Sequence, residues 1–201
     1  MQSLDRLRAT IFGPLSTVHN MQTTTHPITY EESLRMPENK LEEILDGESR
    51  IMPPPTLRHF AFVRKLAREL ERFFPELEVC QPPYGLGIRR DPLRYRIPDI
   101  SVYPGGTISE AIRKDPSDPY IWTAPVLVAE CLSPSNRKGK VAELLADYES
   151  IGVPEVWFFY PEKRLFHKYV LEQGKLRLKE GAQPGSISLD DLWAAFHGKP
   201  D

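Results

Sequence analysis

Cysteine is scarce in this sequence of 201 residues, and long apolar runs are absent. The two cysteines, Cys80 and Cys131, lie far apart and share no metal-ligand spacing with histidine, so we expect reduced thiols and no zinc site. No apolar run reaches the roughly 18 residues that a membrane span needs, and no signal peptide is evident. These absences predict a cytoplasmic protein without a membrane partner.

The sequence also lacks an excess of either charge. Its 26 basic and 28 acidic residues give a formal net charge of −2, so only a local basic patch could bind a polyanion. The content of 40% hydrophobic and 27% charged residues is ordinary for a globular chain. We expect a single domain over 28–198 behind a disordered or extended leader over 1–27, with Met21 as an alternative start to Met1.

Two acidic residues fall within apolar segments. Glu130 lies in the segment 126–135, where four apolar residues precede it, two follow it and Ser-Pro-Ser ends the run. Asp99 lies in the segment 96–103, between Pro98 and Ile100. Both segments are typical of strands buried on both faces. A carboxylate in such a strand is unfavourable unless something compensates its charge.

These two acids have two explanations at this point. Carboxylates suit Mg²⁺ or Mn²⁺, hard cations that can lower the pKa of a water molecule and neutralise charge on a phosphate. Alternatively, Asp99 and Glu130 accept hydrogen bonds from neighbouring backbone or pair with an arginine. Taken in isolation, the two residues favour the second explanation.

Periodicity and turn residues predict the other elements. Helices are expected over 29–36, 56–74, 136–152 and 189–196. A hairpin is expected over 41–52, turning at Asp46-Gly47. Further strands are expected at 77–81, 85–89, 96–103, around Glu130, and at 153–160, 165–171 and 176–178. This order indicates an α/β or α+β fold, with a mixed central sheet flanked by helices.

Basic residues form the densest cluster of the chain directly before the Asp99 segment. The cluster consists of Arg89, Arg90, Arg94 and Arg96. It is either a solvated loop or a phosphate-facing patch beside the acids. Further cations, Lys138 and Lys140 among them, crowd the first turn of the helix predicted over 136–152. Because cations there oppose the helix dipole, they favour a helix start that points at an anion.

Two more residues have both a structural and a functional interpretation. Glu43 lies on the first strand of the predicted hairpin, where a solvent-facing residue is the simpler explanation. His59 lies at the edge of the apolar stripe of the helix 56–74. A histidine there is more often a half-buried structural donor, although it could reach a cleft near the start of the helix.

Six segments in register resemble the Uma-type family of restriction endonuclease-like proteins, which is widespread in bacteria and belongs to the PD-(D/E)XK nuclease superfamily. Pro98-Asp99, followed about thirty residues later by Glu130 on the next core strand and then by a helix, is the outline of that superfamily. The resemblance extends over roughly residues 21–196. Its segments are 28–34, 43–47, His59 at the start of its helix, 96–101, 128–135 and 148–157.

The resemblance implies a restriction endonuclease-like core that hydrolyses DNA phosphodiester bonds with a metal ion. Asp99 and Glu130 would be the carboxylate ligands of Mg²⁺ or Mn²⁺, and the backbone carbonyl of Cys131 would be a third ligand. Glu43 would match the family's acid on the first hairpin, and His59 its histidine near the site. DNA would be the partner, and a homodimer is compatible with the family. The phosphate backbone of the DNA would be bound by Arg89, Arg90, Arg94, Arg96 and Lys138.

One departure from the family concerns the lysine that positions or activates the attacking water. The superfamily usually has it two residues after the second acid, where this chain has Leu132. The Uma-type family is expected to have it on the next helix, at the position aligned with Leu144. Lys140 lies one turn earlier on the same face and would take over the role. Without a substitute, the chain would be a catalytically inactive nuclease-fold protein that binds nucleic acid or another protein.

Overall fold

The structure is a computed structural model that describes residues 26–36, 41–133 and 138–198. Most of the predicted leader, the choice between Met1 and Met21, and the start of the helix predicted over 136–152 lie outside the described residues. Within the described ranges, no helix is both long enough and apolar enough to cross a membrane.

The described residues form five α-helices and eleven strands, which we number in chain order. Helices α1 to α5 span Tyr30–Ser33, Leu57–Phe73, Thr107–Lys114, Lys138–Ser150 and Leu189–Phe196. Strands β1 to β6 span Glu42–Leu45, Glu48–Ile51, Leu77–Cys80, Gly85–Arg89, Arg94–Arg96 and Ile100–Pro104. Strands β7 to β11 span Tyr120–Ile121, Leu127–Cys131, Glu155–Tyr160, Leu165–Glu172 and Lys175–Lys179.

The strands divide into two mixed sheets. One sheet has the order β2-β1-β5-β4-β7, and the other has the order β11-β10-β9-β8-β6-β3. Neighbouring strands are antiparallel except for β4 with β7 and β8 with β9. The predicted α+β class, with mixed sheets and flanking helices, is confirmed, and the structure adds the division into two sheets.

The first hairpin turns where the sequence predicts it. Asp46 has φ 57° and Gly47 has φ 81°, and positive φ at both central residues is the geometry that favours Asp-Gly in two-residue hairpins. A Cβ atom on Gly47 would lie 2.4 Å from the Cβ of Pro27. Glycine therefore allows both the turn and the close approach of the preceding segment.

The strand β8 separates two apolar layers. Leu127, Ala129 and Cys131 pack with α2 and α5 on one side of the sheet. Val128 and Leu132 pack with α4 and β4 on the other side. This alternation is the period of two that a strand buried on both faces requires. The side chain of Glu130 therefore leaves the strand on the same side as Val128 and Leu132.

One predicted strand is divided in the structure. The segment 96–103 was expected to be a single strand, but β5 ends at Arg96 in the first sheet and β6 begins at Ile100 in the second. Pro98 lies in the connection and has no N–H to donate to a strand ladder. Asp99 is therefore the last residue of the crossover between the two sheets. Helix α3 and strand β7 were not predicted from the sequence.

Candidate functional site

The register of two neighbouring strands brings Asp99 and Glu130 together. In the antiparallel pair of β6 and β8, Ile100 lies opposite Ala129. Continuing this register by one residue places Asp99 opposite Glu130. The backbone N–H of Cys131, the next residue, donates a 2.7 Å hydrogen bond to Oδ2 of Asp99. The two acids that the sequence singled out are thus neighbours at the edge where the sheets diverge.

Asp99 is held on its other side by helix α2. Nε2 of His59 lies 2.9 Å from Oδ1 of Asp99, and both side chains are largely buried. Burial lowers the pKa of His59, but the hydrogen bond and the negative charge of Asp99 outweigh it, so the net pKa is raised above the ordinary value. The partner of Asp99 is therefore an imidazole that readily carries a positive charge.

Glu130 is held by helix α4. The hydroxyl of Tyr148, a residue fully buried in that helix, donates a short hydrogen bond to Oε1 of Glu130. Burial raises the pKa of Glu130, and the negative charges of Asp99 and Glu43 raise it further. The hydrogen bond from Tyr148 and the positive charge of Lys140 act in the opposite direction. Three carboxylates and one ammonium group therefore interact electrostatically at this point.

Glu43 is a buried residue of β1 and not a solvent-facing one. Its Oε2 accepts a 3.0 Å hydrogen bond from Nη1 of Arg96, and its Oε1 accepts a 3.2 Å hydrogen bond from the backbone N–H of Ile97. The simpler explanation offered by the sequence, an exposed strand position, does not apply, because the side chain is 10% exposed. Glu43 therefore holds in place the connection between β5 and β6 that leads to Asp99.

Two arginines of the basic cluster are directed into the protein. Arg94 donates to both carboxylate oxygens of Asp147, at 2.6 and 3.0 Å, and Arg96 donates to the same residue at 2.6 Å. Arg96 is 1% exposed, and its remaining ion pairs are with Glu43 and Glu143. The hypothesis of a solvent-facing phosphate patch therefore does not describe these two residues, whose charges are compensated by carboxylates on β1 and α4.

The other two arginines of the cluster remain at the surface. Arg89 forms an ion pair with Asp46. The guanidinium of Arg90 lies 4.3 Å from the ring centre of Tyr30 and 4.5 Å from that of Trp122, and it is 3.5 Å from Asp118. Both side chains are about half exposed. They are accessible to a phosphate, in contrast to the two buried arginines.

The positions at which the family would have its lysine lie directly after β8 and within helix α4. Leu132 and Leu144, which occupy the two positions where a lysine would be expected, are 3% and 2% exposed and belong to one apolar layer. Lys140 is exposed one turn before Leu144, and its charge acts on Glu130. Lys138 is the first residue of α4, and its side chain lies outside the described part of the structure.

The donor set fits a small hard cation. Burial raises the pKa of Glu130, and the negative charge of Asp99 raises it further. A divalent ion between the two adjacent carboxylates would relieve their repulsion. Among the described residues, no group of three or more His, Cys, Asp or Glu side chains is arranged to hold a metal ion. A pair of carboxylates completed by carbonyl, water and substrate oxygens is the arrangement that Mg²⁺ favours over an all-protein cage.

Two residues of the site were missed by the sequence analysis. Tyr148 was assigned only to the apolar stripe of its helix, although its position eight residues after Lys140 placed it on the same face. Asp147 was not singled out at all, and it is 6% exposed and binds both buried arginines. The sequence signal for Asp147 was weak: it is an acidic residue next to the apolar stripe of a helix that follows a core strand.

Comparison with known proteins supports the resemblance. A solved structure, "a putative nuclease belonging to DUF820 from Anabaena variabilis ATCC 29413", superposes with a TM-score of 0.67 at 20% sequence identity, covering 85% of this chain and 99% of the other. At that identity the likeness concerns the fold. No curated protein matches the chain. The family profile described as "Uma2: Putative restriction endonuclease" matches residues 30–197. The chain therefore belongs to the Uma2 family of putative restriction endonucleases.

Proposed function

We propose that this protein is a metal-dependent nuclease that hydrolyses DNA phosphodiester bonds. The observation that carries the proposal is a 2.7 Å hydrogen bond to Oδ2 of Asp99 from the backbone N–H of Cys131, the last residue of β8. That bond fixes one carboxylate beside a second one, Glu130, in a largely buried environment. The chain belongs to a family of putative restriction endonucleases, which supports phosphodiester hydrolysis as the role of this pair of carboxylates.

Asp99 and Glu130 would hold Mg²⁺ or Mn²⁺, together with the backbone carbonyl of Cys131. When bound, such a cation supplies Lewis-acid activation of water and neutralises charge on the phosphate. The chain's own residues keep the two carboxylates in place. His59 holds Asp99, and Tyr148 orients Glu130. Glu43 supports the site from one step further away, because it binds the backbone before Pro98 and Asp99.

Lys140 would supply the positive charge that the usual lysine positions lack. Its side chain is exposed at the start of α4, and its charge opposes the rise in the pKa of Glu130. An ammonium group in this place can orient the attacking water and stabilise the charge that develops on the phosphate. Arg89 and Arg90 remain candidates for contacts with the DNA backbone, since both side chains are about half exposed. Lys138 remains a candidate because of its position at the start of α4.

The test is nicking of supercoiled plasmid with Mg²⁺ or Mn²⁺, in which the wild type is compared with Asp99→Ala and Glu130→Ala. We expect nicking that requires the metal and is abolished by both substitutions, while circular dichroism shows that the variants are folded. Equal nicking by the wild type and both variants would identify a contaminating nuclease and refute this site.

A second candidate function is a catalytically inactive nuclease-fold protein that binds DNA or another protein. The specific observation in its favour is that Leu132 and Leu144 fill both expected lysine positions with buried apolar side chains. Under this alternative, purified wild type would bind a DNA duplex or a partner protein but would not nick plasmid with either metal at any enzyme concentration. Metal-dependent nicking by the wild type would exclude it.

A further inference from the structure

Helix α2 presents a basic face that the site described above does not use. Its buried side packs into the core through residues such as Phe62, Leu66 and Leu70. The rest of the helix carries five cations and only two carboxylates, in a protein with a net charge of −2. The cations are Arg58, Arg64, Lys65, Arg68 and Arg72. This is a local positive surface of the kind that a polyanion requires in a chain without an overall basic charge.

Among the described residues, no ion pair compensates the charges of three of these cations. Arg58, Arg64 and Arg68 are exposed, and within the described ranges they take part in no ion pair. Arg94 and Arg96 differ from them, because those two are buried against Asp147. Two of the four arginines of the Arg89–Arg96 cluster are therefore paired inside the fold, whereas Arg58, Arg64 and Arg68 of α2 remain available to an external anion.

The first turn of α2 is attached to the candidate site. The backbone N–H of His59 donates a 3.2 Å hydrogen bond to Oγ1 of Thr56, which caps the helix. The imidazole of His59 lies 2.9 Å from Asp99. At 1.5 Å per residue, the helix extends roughly 14 Å from His59 to Arg68. This part of the helix could therefore lie along about four nucleotides of a DNA strand that has a phosphate at the site, at 3.4 Å per nucleotide.

Apolar side chains are exposed at the same end of the helix. Leu57 is 86% exposed and Phe60 is 53% exposed. They flank His59, whose imidazole contacts Asp99, in the first turn of α2. Apolar side chains in such a place can insert between bases beside a phosphate, as Phe and Leu do in proteins that bind the minor groove of DNA.

We propose that the exposed face of α2 is a binding surface for the backbone of a DNA duplex, in which Arg58, Arg64 and Arg68 contact phosphates next to the one that is cut. Leu57 and Phe60 contact the sugars or bases at the end nearest to Asp99. This inference rests on the proposed function, because it takes the carboxylate pair as the place of cleavage. It adds a DNA-contacting surface separate from the Arg89–Arg96 cluster.

The test measures the salt dependence of binding to a 30-base-pair duplex by fluorescence anisotropy, with Ca²⁺ in place of Mg²⁺. The triple variant Arg58→Ala/Arg64→Ala/Arg68→Ala removes the basic face. The matched control, Arg113→Ala/Lys114→Ala/Arg177→Ala, removes three exposed cations from α3 and β11. Because each phosphate contact contributes about 0.9 to the slope of log K against log salt, we expect the slope to fall by about 2 to 3 in the triple variant only.

Plasmid nicking with Mg²⁺ or Mn²⁺ and gel filtration complete the test. The inference predicts slower nicking by the triple variant at low DNA concentration, and weaker binding by Phe60→Ser with an unchanged salt slope. If the wild type nicks DNA while the triple variant and the control have equal slopes, the inference is refuted and the proposed function stands. If the wild type neither binds nor nicks DNA, both are refuted. A change of oligomeric state in Phe60→Ser, with DNA binding unchanged, would assign this surface to a second copy of the chain and overturn the inference.

Discussion

Glu43 and Ile97, which are 54 residues apart in the chain, are joined by a 3.2 Å hydrogen bond from the backbone N–H of Ile97 to Oε1 of Glu43. Ile97 lies two residues before Asp99, in the crossover between the sheets. The other oxygen of Glu43 binds Arg96. The carboxylate of Glu43 thus compensates the charge of the buried Arg96 and holds the backbone segment that positions Asp99, the candidate metal ligand.

Glu43→Ala should destabilise the fold by about 3 kcal/mol, because it removes one partner of a buried ion pair and leaves the N–H of Ile97 without its acceptor. Glu43→Gln keeps an oxygen for Ile97 and should lose less. The measurement is the free energy of unfolding in urea, with Glu48→Ala on the exposed strand β2 as the control. Equal stability of wild type and Glu43→Ala would contradict the role assigned to this residue.

Tyr148→Phe should weaken the binding of Mn²⁺ by about tenfold or more, because residues that orient a ligating carboxylate typically have effects of that size on affinity. Titration calorimetry measures this affinity directly and does not depend on cleavage. Tyr169→Phe is the matched control, since Tyr169 packs against Phe158 in the same apolar layer. Unchanged Mn²⁺ affinity in Tyr148→Phe would show that the hydrogen bond to Glu130 has no part in metal binding.

Lys140→Ala should reduce plasmid nicking by about a hundredfold or more, because a positioned proton-transfer or charge-stabilising group contributes at least that much. Binding of Mn²⁺ and of duplex DNA should remain. Lys114→Ala, an exposed lysine at the end of α3, is the control and should cut normally. If Lys140→Ala nicks DNA as the wild type does, the lysine role belongs to another residue.

Acid should weaken the ion-pair network through Glu143. Burial raises the pKa of Glu143, but Arg96, Arg94 and Arg50 lower it more, so the net pKa lies below 4.5. A folded-state pKa below the unfolded one adds stability that is complete above the unfolded value and is lost as the pH falls through the folded value. The melting temperature of Glu143→Gln should therefore be below that of the wild type at pH 7, and the two should converge below pH 4.5.

The exposed residue Glu180 supplies the control for this pH series. Glu180→Gln should follow the wild type from pH 7 to pH 3, since Glu180 lies outside the buried network. If Glu143→Gln and the wild type differ by the same amount at every pH, the contribution of Glu143 does not depend on its charge.

The local elements were predictable because each depends on residues close together in the chain. The apolar stripe predicted helix α2, Asp46-Gly47 predicted the hairpin, and the apolar run around Glu130 predicted β8. The predicted closing helix 189–196 coincides with α5. Helix α3 was missed because it has only 8 residues and begins after Gly106, which offers no capping side chain to mark its start.

The sequence by itself determined most of the helices and strands, the two acids in apolar strands and the departures at Leu132 and Leu144. Only the tertiary structure decided which cations face solvent. The segment Arg94–Arg96 is equally compatible with an exposed loop and a buried strand, and what buries it is a set of carboxylates about 50 residues away on β1 and α4. Charge compensation over such separations depends on how elements pack, and no local pattern records it.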